Sequence, residues 1–207
     1  MKGIYVAKDV VAAKQIFEEA ARKKEPGAMY YNAYFILKNA GEEEIDPYFD
    51  DKVYNEVSDI LRYVVATDKQ NSNAYYYLGY LYQNGFGVDH DFTTAARYFK
   101  TSVEVSDEKN SKAMFKYGAM LFTGNGLGGI EDKDKAVDMF EKAARLGDKA
   151  SINALGVLYE RGDGVSKNPE KARENYLAAT RLGDIDAKYN LGSYILNVIF
   201  FCLKKLA

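Results

Sequence analysis

The chain has 207 residues with 28 basic and 30 acidic side chains, a formal charge of -2, and the two signs are interspersed, so no basic face marks a nucleic-acid partner. No apolar run reaches the roughly 18 residues that span a bilayer, and the first residues lack the apolar stretch of a signal peptide. The single cysteine, Cys202, excludes an intrachain disulfide and fits a reducing, cytoplasmic setting. Tryptophan is absent while tyrosine reaches 18, so aromatic packing and recognition fall to tyrosine and phenylalanine.

In chain order, Asp9 followed by Ala13, Phe17, Ala20 and Ala21 predicts a capped amphipathic helix. Residues 28–40 predict a second helix centred on Ala33, Glu42-Glu43-Glu44 falls in a loop, and residues 47–67 predict a longer helix. From there a pattern repeats. Leu78-Gly79, Tyr82, Gly85-Phe86-Gly87-Val88, Ala95, Phe99 and Ser102 make one copy. Tyr117-Gly118, Leu121, Gly124-Asn125-Gly126-Leu127, Ala136, Phe140 and Ala143 make the next, with Gly128-Gly129-Ile130 inserted after its turn. Leu155-Gly156, Tyr159, Gly162-Asp163-Gly164-Val165, Ala172, Tyr176 and Ala179 make the third, and Leu191-Gly192 opens a fourth. The helix glycines lie 39, 38 and 36 residues apart, a period that means stacked helix pairs.

Each copy reads as a leading helix, a glycine turn and a trailing helix. Asp91, Asp132 and Asn168 sit where the trailing helix needs its cap, and Pro169 follows at the first helical position. A glycine inside the leading helix costs about 1 kcal/mol relative to alanine. Its return at Gly79, Gly118, Gly156 and Gly192 implies a shared gain, the close approach of a neighbouring helix. Helix breaks are expected near Gly41, Gly85, Gly124 and Gly162. After Gly192 no turn signal follows; Tyr194 to Phe201 continues apolar.

The run L-G-x-x-Y-x-x-G-x-G-V, then D/N-x-x-K-A with an aromatic and alanines before G-D, resembles the Sel-1-like repeat, a branch of the tetratricopeptide-like solenoids. The resemblance is strong over 73–192, best over Ala154 to Asp184, and weaker over 1–72; residues 193–207 form an atypical apolar end. It implies one all-α, right-handed α-solenoid of antiparallel helix pairs over residues 1–207, with about ten helices. It also implies a non-enzymatic scaffold or adaptor that binds a protein or peptide, the alternatives being a structural subunit of a large assembly or an enzyme with an unrecognised site. Members that bind or cleave β-lactams carry paired cysteines in each repeat, which this chain lacks.

No catalytic, metal or cofactor site is expected. Gly124 to Gly129 follows a helix rather than a strand, so it is a turn and not a phosphate loop. His90, the single histidine, lies in a loop beside the capping Asp91. With Cys202 it falls short of the four ligands of a zinc site. Glu42 to Asp46 lacks the spacing of a calcium loop and reads as a solvated charge run.

The repeat leaves two positions of the leading helix unspecified, two before and one after its central small residue. Around Ala33 they hold Tyr31 and Tyr34; around Gly79 they hold Tyr77 and Tyr80. Later copies hold Lys116 and Ala119, then Ala154 and Val157. Residues three apart share a helix face, and tyrosine is enriched at binding hot spots. These four tyrosines are therefore the candidate partner-binding residues, the alternative being that they pack against neighbouring helices. The apolar end from Tyr194 to Leu203 has two readings: the chain is a piece of a longer solenoid or an atypical isoform, or this end is a second candidate surface, for self-association or partner docking.

Overall fold

The computed structural model describes residues 19–39 and 51–206, with the backbone alone at 38, 39, 51, 198, 200–203, 205 and 206. The readings placed on residues 9–17 and 41–46, and on the side chains of Phe200, Phe201 and Cys202, lie outside the described residues. The chain forms two compact units, Met1–Asp107 and Glu108–Ala207. In the first, residues 19–22 are helical, and α1 (Pro26–Asn39), α2 (Asp51–Thr67), α3 (Ser72–Asn84) and α4 (Phe92–Val105) follow. The second holds α5 (Ser111–Thr123), α6 (Lys133–Arg145), α7 (Lys149–Arg161), α8 (Pro169–Arg181) and α9 (Ile185–Leu206). No strand occurs among the described residues. The fold is an all-α solenoid of helix pairs.

The helix ends follow from local chemistry. Asp91 accepts from the Thr93 N–H at 2.8 Å, Asp132 from Lys135 at 3.0 Å and Asn168 from Lys171 at 2.9 Å, each satisfying an orphan donor of the first turn. The leading helices are capped in the same way, by Asn71, Asn110 and Asp148. Gly85, Gly124 and Gly162 close the leading helices with φ of 71°, 71° and 75°, the left-handed conformation that glycine adopts freely.

Each complete turn then ends on one clasp. The N–H of the trailing-helix cap returns to a carbonyl of the leading helix: Asp91 to Tyr82 at 3.0 Å, Asp132 to Leu121 at 2.8 Å, Asn168 to Tyr159 at 2.8 Å. The extra residues after Gly126 leave that clasp in place. Gly129 donates to the Gly124 carbonyl at 3.1 Å, and Ile130 projects outward, 72% exposed.

Within each pair the trailing helix sets an aromatic ring on the leading-helix glycine. A Cβ built on Gly79 would stand 2.8 Å from the Phe99 ring, on Gly118 3.0 Å from Phe140, and on Gly156 2.7 Å from Tyr176. The expected close approach is therefore present in three repeats. Gly192 departs from it: nothing lies within 4 Å of its Cβ position, and the helix that carries it, α9, runs for 22 residues to Leu206.

Small residues flank the rings on the trailing helix. Ala95, Ser102, Ala136, Ala143, Ala172 and Ala179 are fully buried, which lets the helices nest. Ser102 takes the place of an alanine and donates to the Ser72 carbonyl at 2.7 Å, so its hydroxyl is satisfied. The first unit's core gathers Tyr54, Val57, Leu61 and Val64 of α2 with Leu78 and Leu81 of α3. In the second unit, Lys133 of α6 bonds Asp163 of the α7–α8 turn at 2.9 Å and lies 5.2 Å from the Phe122 ring. Lys142 bonds Glu108 at 2.7 Å.

Candidate protein-binding face

The tyrosine positions lie on α1 and α3, both in the first unit. Tyr30, at 7% exposure, belongs to the core stripe with Ala33 and Leu37. Its ring is 5.1 Å from Tyr31, stacks on Tyr34 at 6.2 Å and meets Tyr77 at 6.5 Å. Tyr34 and Tyr77 meet directly at 6.0 Å. Three of the four candidates, Tyr31, Tyr34 and Tyr77, are thus assembled around a buried tyrosine that the repeat offsets did not single out. The signal for Tyr30 was present: it is three residues before Ala33 and seven before Leu37, on the buried side of the helix.

Tyr80 is placed differently. Its ring lies 6.3 Å from Phe86 of the turn, and Phe86 stacks on Tyr54 at 5.2 Å. It extends the aromatic surface toward the turn. Tyr31 is 44% exposed, while Tyr34, Tyr77 and Tyr80 are half-buried. The face therefore combines ring area open to solvent with rings fixed by packing.

Burial governs the chemistry of these hydroxyls. Tyr77 is pushed up to about 12 by desolvation, with the neighbouring Tyr34 adding to it. Desolvation raises Tyr30 further still, reinforced by Tyr77, Tyr31 and Tyr34. Both stay protonated at neutral pH, so they offer hydrogen bonds and apolar area and no anionic charge.

A cleft of about 430 Å³ lies on the other side of α1, lined by Arg22, Met29, Asn32, Ile36, Glu56 and Ile60 among others. It is open to solvent, and its lining mixes apolar side chains with one basic and one acidic side chain. His90 is exposed, with its ring edge-on to Phe92 at 4.4 Å. Among the described residues no three His, Cys, Asp or Glu side chains converge as metal ligands, and no helix is long and apolar enough to cross a membrane.

Comparison with known proteins extends these observations. The family model described as Sel1 repeat matches residues 1–24, 72–104, 111–148 and 149–184. The ERAD-associated E3 ubiquitin-protein ligase component HRD3B of Arabidopsis thaliana is 42% identical over 89 residues, which are 42% of this chain and 13% of that protein. The photosystem I assembly protein Ycf3 of Acaryochloris marina is 25% identical over 129 residues, 61% of this chain and 70% of that protein. The chain thus spans a small fraction of the first of these relatives.

Among solved structures, the protective antigen c5321 present in uropathogenic Escherichia coli strains, which displays an SLR fold, superposes with a TM-score of 0.68 at 26% identity. The match covers 87% of this chain and 35% of that one. A Sel1 repeat protein from Oxalobacter formigenes gives 0.68 at 25% identity, over 87% of this chain and 67% of that one. Matching turns, caps and helix glycines in successive copies, and a family model covering more than half of the residues, lead to one conclusion: the chain belongs to the Sel1 repeat family.

Proposed function

We propose that the chain is a non-enzymatic scaffold whose first unit binds a protein or peptide partner across Tyr31, Tyr34, Tyr77 and Tyr80. The observation that carries this reading is the aromatic face itself: tyrosines stand at positions the repeat leaves free, and three of them, Tyr31, Tyr34 and Tyr77, pack around the buried Tyr30. Two relatives support it by their names, one a component of a ubiquitin ligase and the other an assembly protein. The cytoplasm is the compartment that a single cysteine fits best. A second reading, a structural subunit of a larger assembly, is favoured by the exposed apolar residues of α9.

The test is affinity capture with the wild-type chain and with a Tyr31→Ala, Tyr34→Ala double variant. Captured proteins are identified by mass spectrometry, and binding of the purified candidate is then measured. The double variant is expected to keep its helical circular dichroism and to lose at least one partner by about tenfold or more in affinity. Retention of every partner at wild-type affinity overturns the reading.

A further inference from the structure

The leading helices of the first unit carry almost no charge. α1 has 14 residues and α3 has 13, and Lys38 is the single Asp, Glu, Lys or Arg between them, although such residues make up 28% of the chain. α2, in the same unit, holds Asp51, Lys52, Glu56, Asp59 and Arg62. The leading helices of the second unit, α5 and α7, hold Lys112, Lys116, Lys149, Glu160 and Arg161. In α1 and α3 the place of charge is taken by rings, eight of the chain's 18 tyrosines.

The larger aliphatic side chains of these two helices are engaged elsewhere. Leu37, Leu78 and Leu81 belong to the core, and Met29 and Ile36 line the cleft of about 430 Å³, whose lining includes none of the four candidate tyrosines. The face therefore presents aromatic rings, and burial keeps the Tyr77 hydroxyl neutral by pushing it up to about 12. Neighbouring rings are inclined rather than coplanar. Tyr34 and Tyr77 stand 6.0 Å apart at 58°, and Tyr80 and Phe86 stand 6.3 Å apart at 44°. The result is a ridged aromatic surface.

This chemistry sorts the kinds of segment that could bind. An acidic or basic segment draws its specificity from complementary charge, and these helices offer one ionised residue. An added β-strand needs a sheet edge, and no strand occurs among the described residues. An amphipathic helix seats a row of apolar anchors in a groove, and the groove on α1 is the cleft of Met29 and Ile36 rather than the tyrosine face.

A polyproline II segment meets the same conditions. Its backbone stays solvated and has no internal hydrogen bonds, so it asks for no sheet edge. Its proline rings pack on aromatic side chains, and it is ordered before binding, which lowers the entropic cost. It advances about 3.1 Å per residue, so alternate residues stand about 6 Å apart. That is the separation of the inclined rings. We infer, resting on the scaffold reading above, that Tyr31, Tyr34, Tyr77 and Tyr80 receive a proline-rich segment in the polyproline II conformation, held by ring packing and not by charge.

The probe is an end-blocked peptide of about ten prolines, roughly 31 Å long. It is titrated into the full chain by isothermal titration calorimetry, with tyrosine emission as a second readout. An end-blocked Gly-Ser peptide of equal length is the control and is expected not to bind. Polyproline is expected to bind, with less than about twofold change in affinity between about 50 and about 500 mM salt. Tyr31→Ala removes the most exposed of the rings, at 44%, and leaves the buried Tyr30 in place. It is expected to keep its helical circular dichroism and to weaken polyproline at least about tenfold. Tyr34→Ala repeats the test at the ring that meets Tyr77; if it fails to fold, Tyr31→Ala alone decides.

Absence of polyproline binding overturns the inference. So does equal binding by wild type and Tyr31→Ala, or an affinity that falls steeply with salt. The scaffold reading is judged apart from this, by whether captured partners need the tyrosines. A partner that needs them and is not displaced by polyproline overturns the proline-rich occupant and leaves the scaffold reading standing.

Discussion

The two units build the same repeat and fill its free positions in opposite ways. In the first, Tyr30, Tyr31, Tyr34 and Tyr77 form a cluster of rings, with Tyr80 and Phe86 continuing toward Tyr54. In the second, the equivalent leading-helix positions hold Lys116, Ala119, Ala154 and Val157, and lysines tie neighbouring elements through Lys133–Asp163 and Lys142–Glu108. What stays constant between the units is the glycine under an aromatic ring, Gly79 and Phe99 on one side, Gly118 and Phe140 on the other. Shared packing therefore defines the fold, and the positions it does not use are where the units acquire different surfaces.

The largest effect tests the shared part. Phe99→Ala and Phe140→Ala each remove a buried ring, at 0% and 4% exposure, and are expected to cost about 3–5 kcal/mol in either unit. Chemical denaturation followed by circular dichroism checks it. A cost several-fold larger in one unit than in the other would break the equivalence.

A pH titration sharpens the contrast. The Tyr77 hydroxyl moves from its ordinary 10.0 to about 12 on folding, so between those values the unfolded chain releases a proton that the folded chain retains. That stability is fully present below pH 10 and falls as pH rises toward 12. Tyr77→Phe should flatten this part of the pH–stability curve. An unchanged slope would mean that Tyr77 is not desolvated.

The smallest effect is expected at the ion pair of the second unit. Lys133 and Asp163 are 37% and 40% exposed, a setting in which salt bridges add little. Lys133→Ala should barely move the unfolding midpoint, and added salt should move the wild-type midpoint just as little. A large drop would show that the α7–α8 turn depends on this lysine.

Much of the fold was legible because its determinants are local. A cap at Asp91, Asp132 or Asn168 and a left-handed glycine at Gly85 or Gly162 act within one helical turn, and their sequence spacing carries the information. Gly192 shows the boundary of that legibility. The residue and its Leu191 neighbour match the repeat, but whether a ring covers it depends on a helix elsewhere in the sequence. The site was legible in part for the same reason. Offsets within one helix brought out Tyr31, Tyr34, Tyr77 and Tyr80 as candidates. They did not reveal that Phe86, from a turn, would stack on Tyr54 of α2 and draw the Tyr80 end of the face toward it.

The clasp that closes each turn has a practical corollary. Asp91 to Tyr82, Asp132 to Leu121 and Asn168 to Tyr159 are the same bond, although the middle turn carries the extra Gly128-Gly129-Ile130. Helix placement is thus insulated from turn length at that joint, and added residues leave as a self-closed bulge. The turn after Leu127 is accordingly a docking port for engineering. A fluorescent reporter or a peptide epitope spliced in beside Ile130 would ride outside the repeat, leaving α5 and α6 in register beneath it.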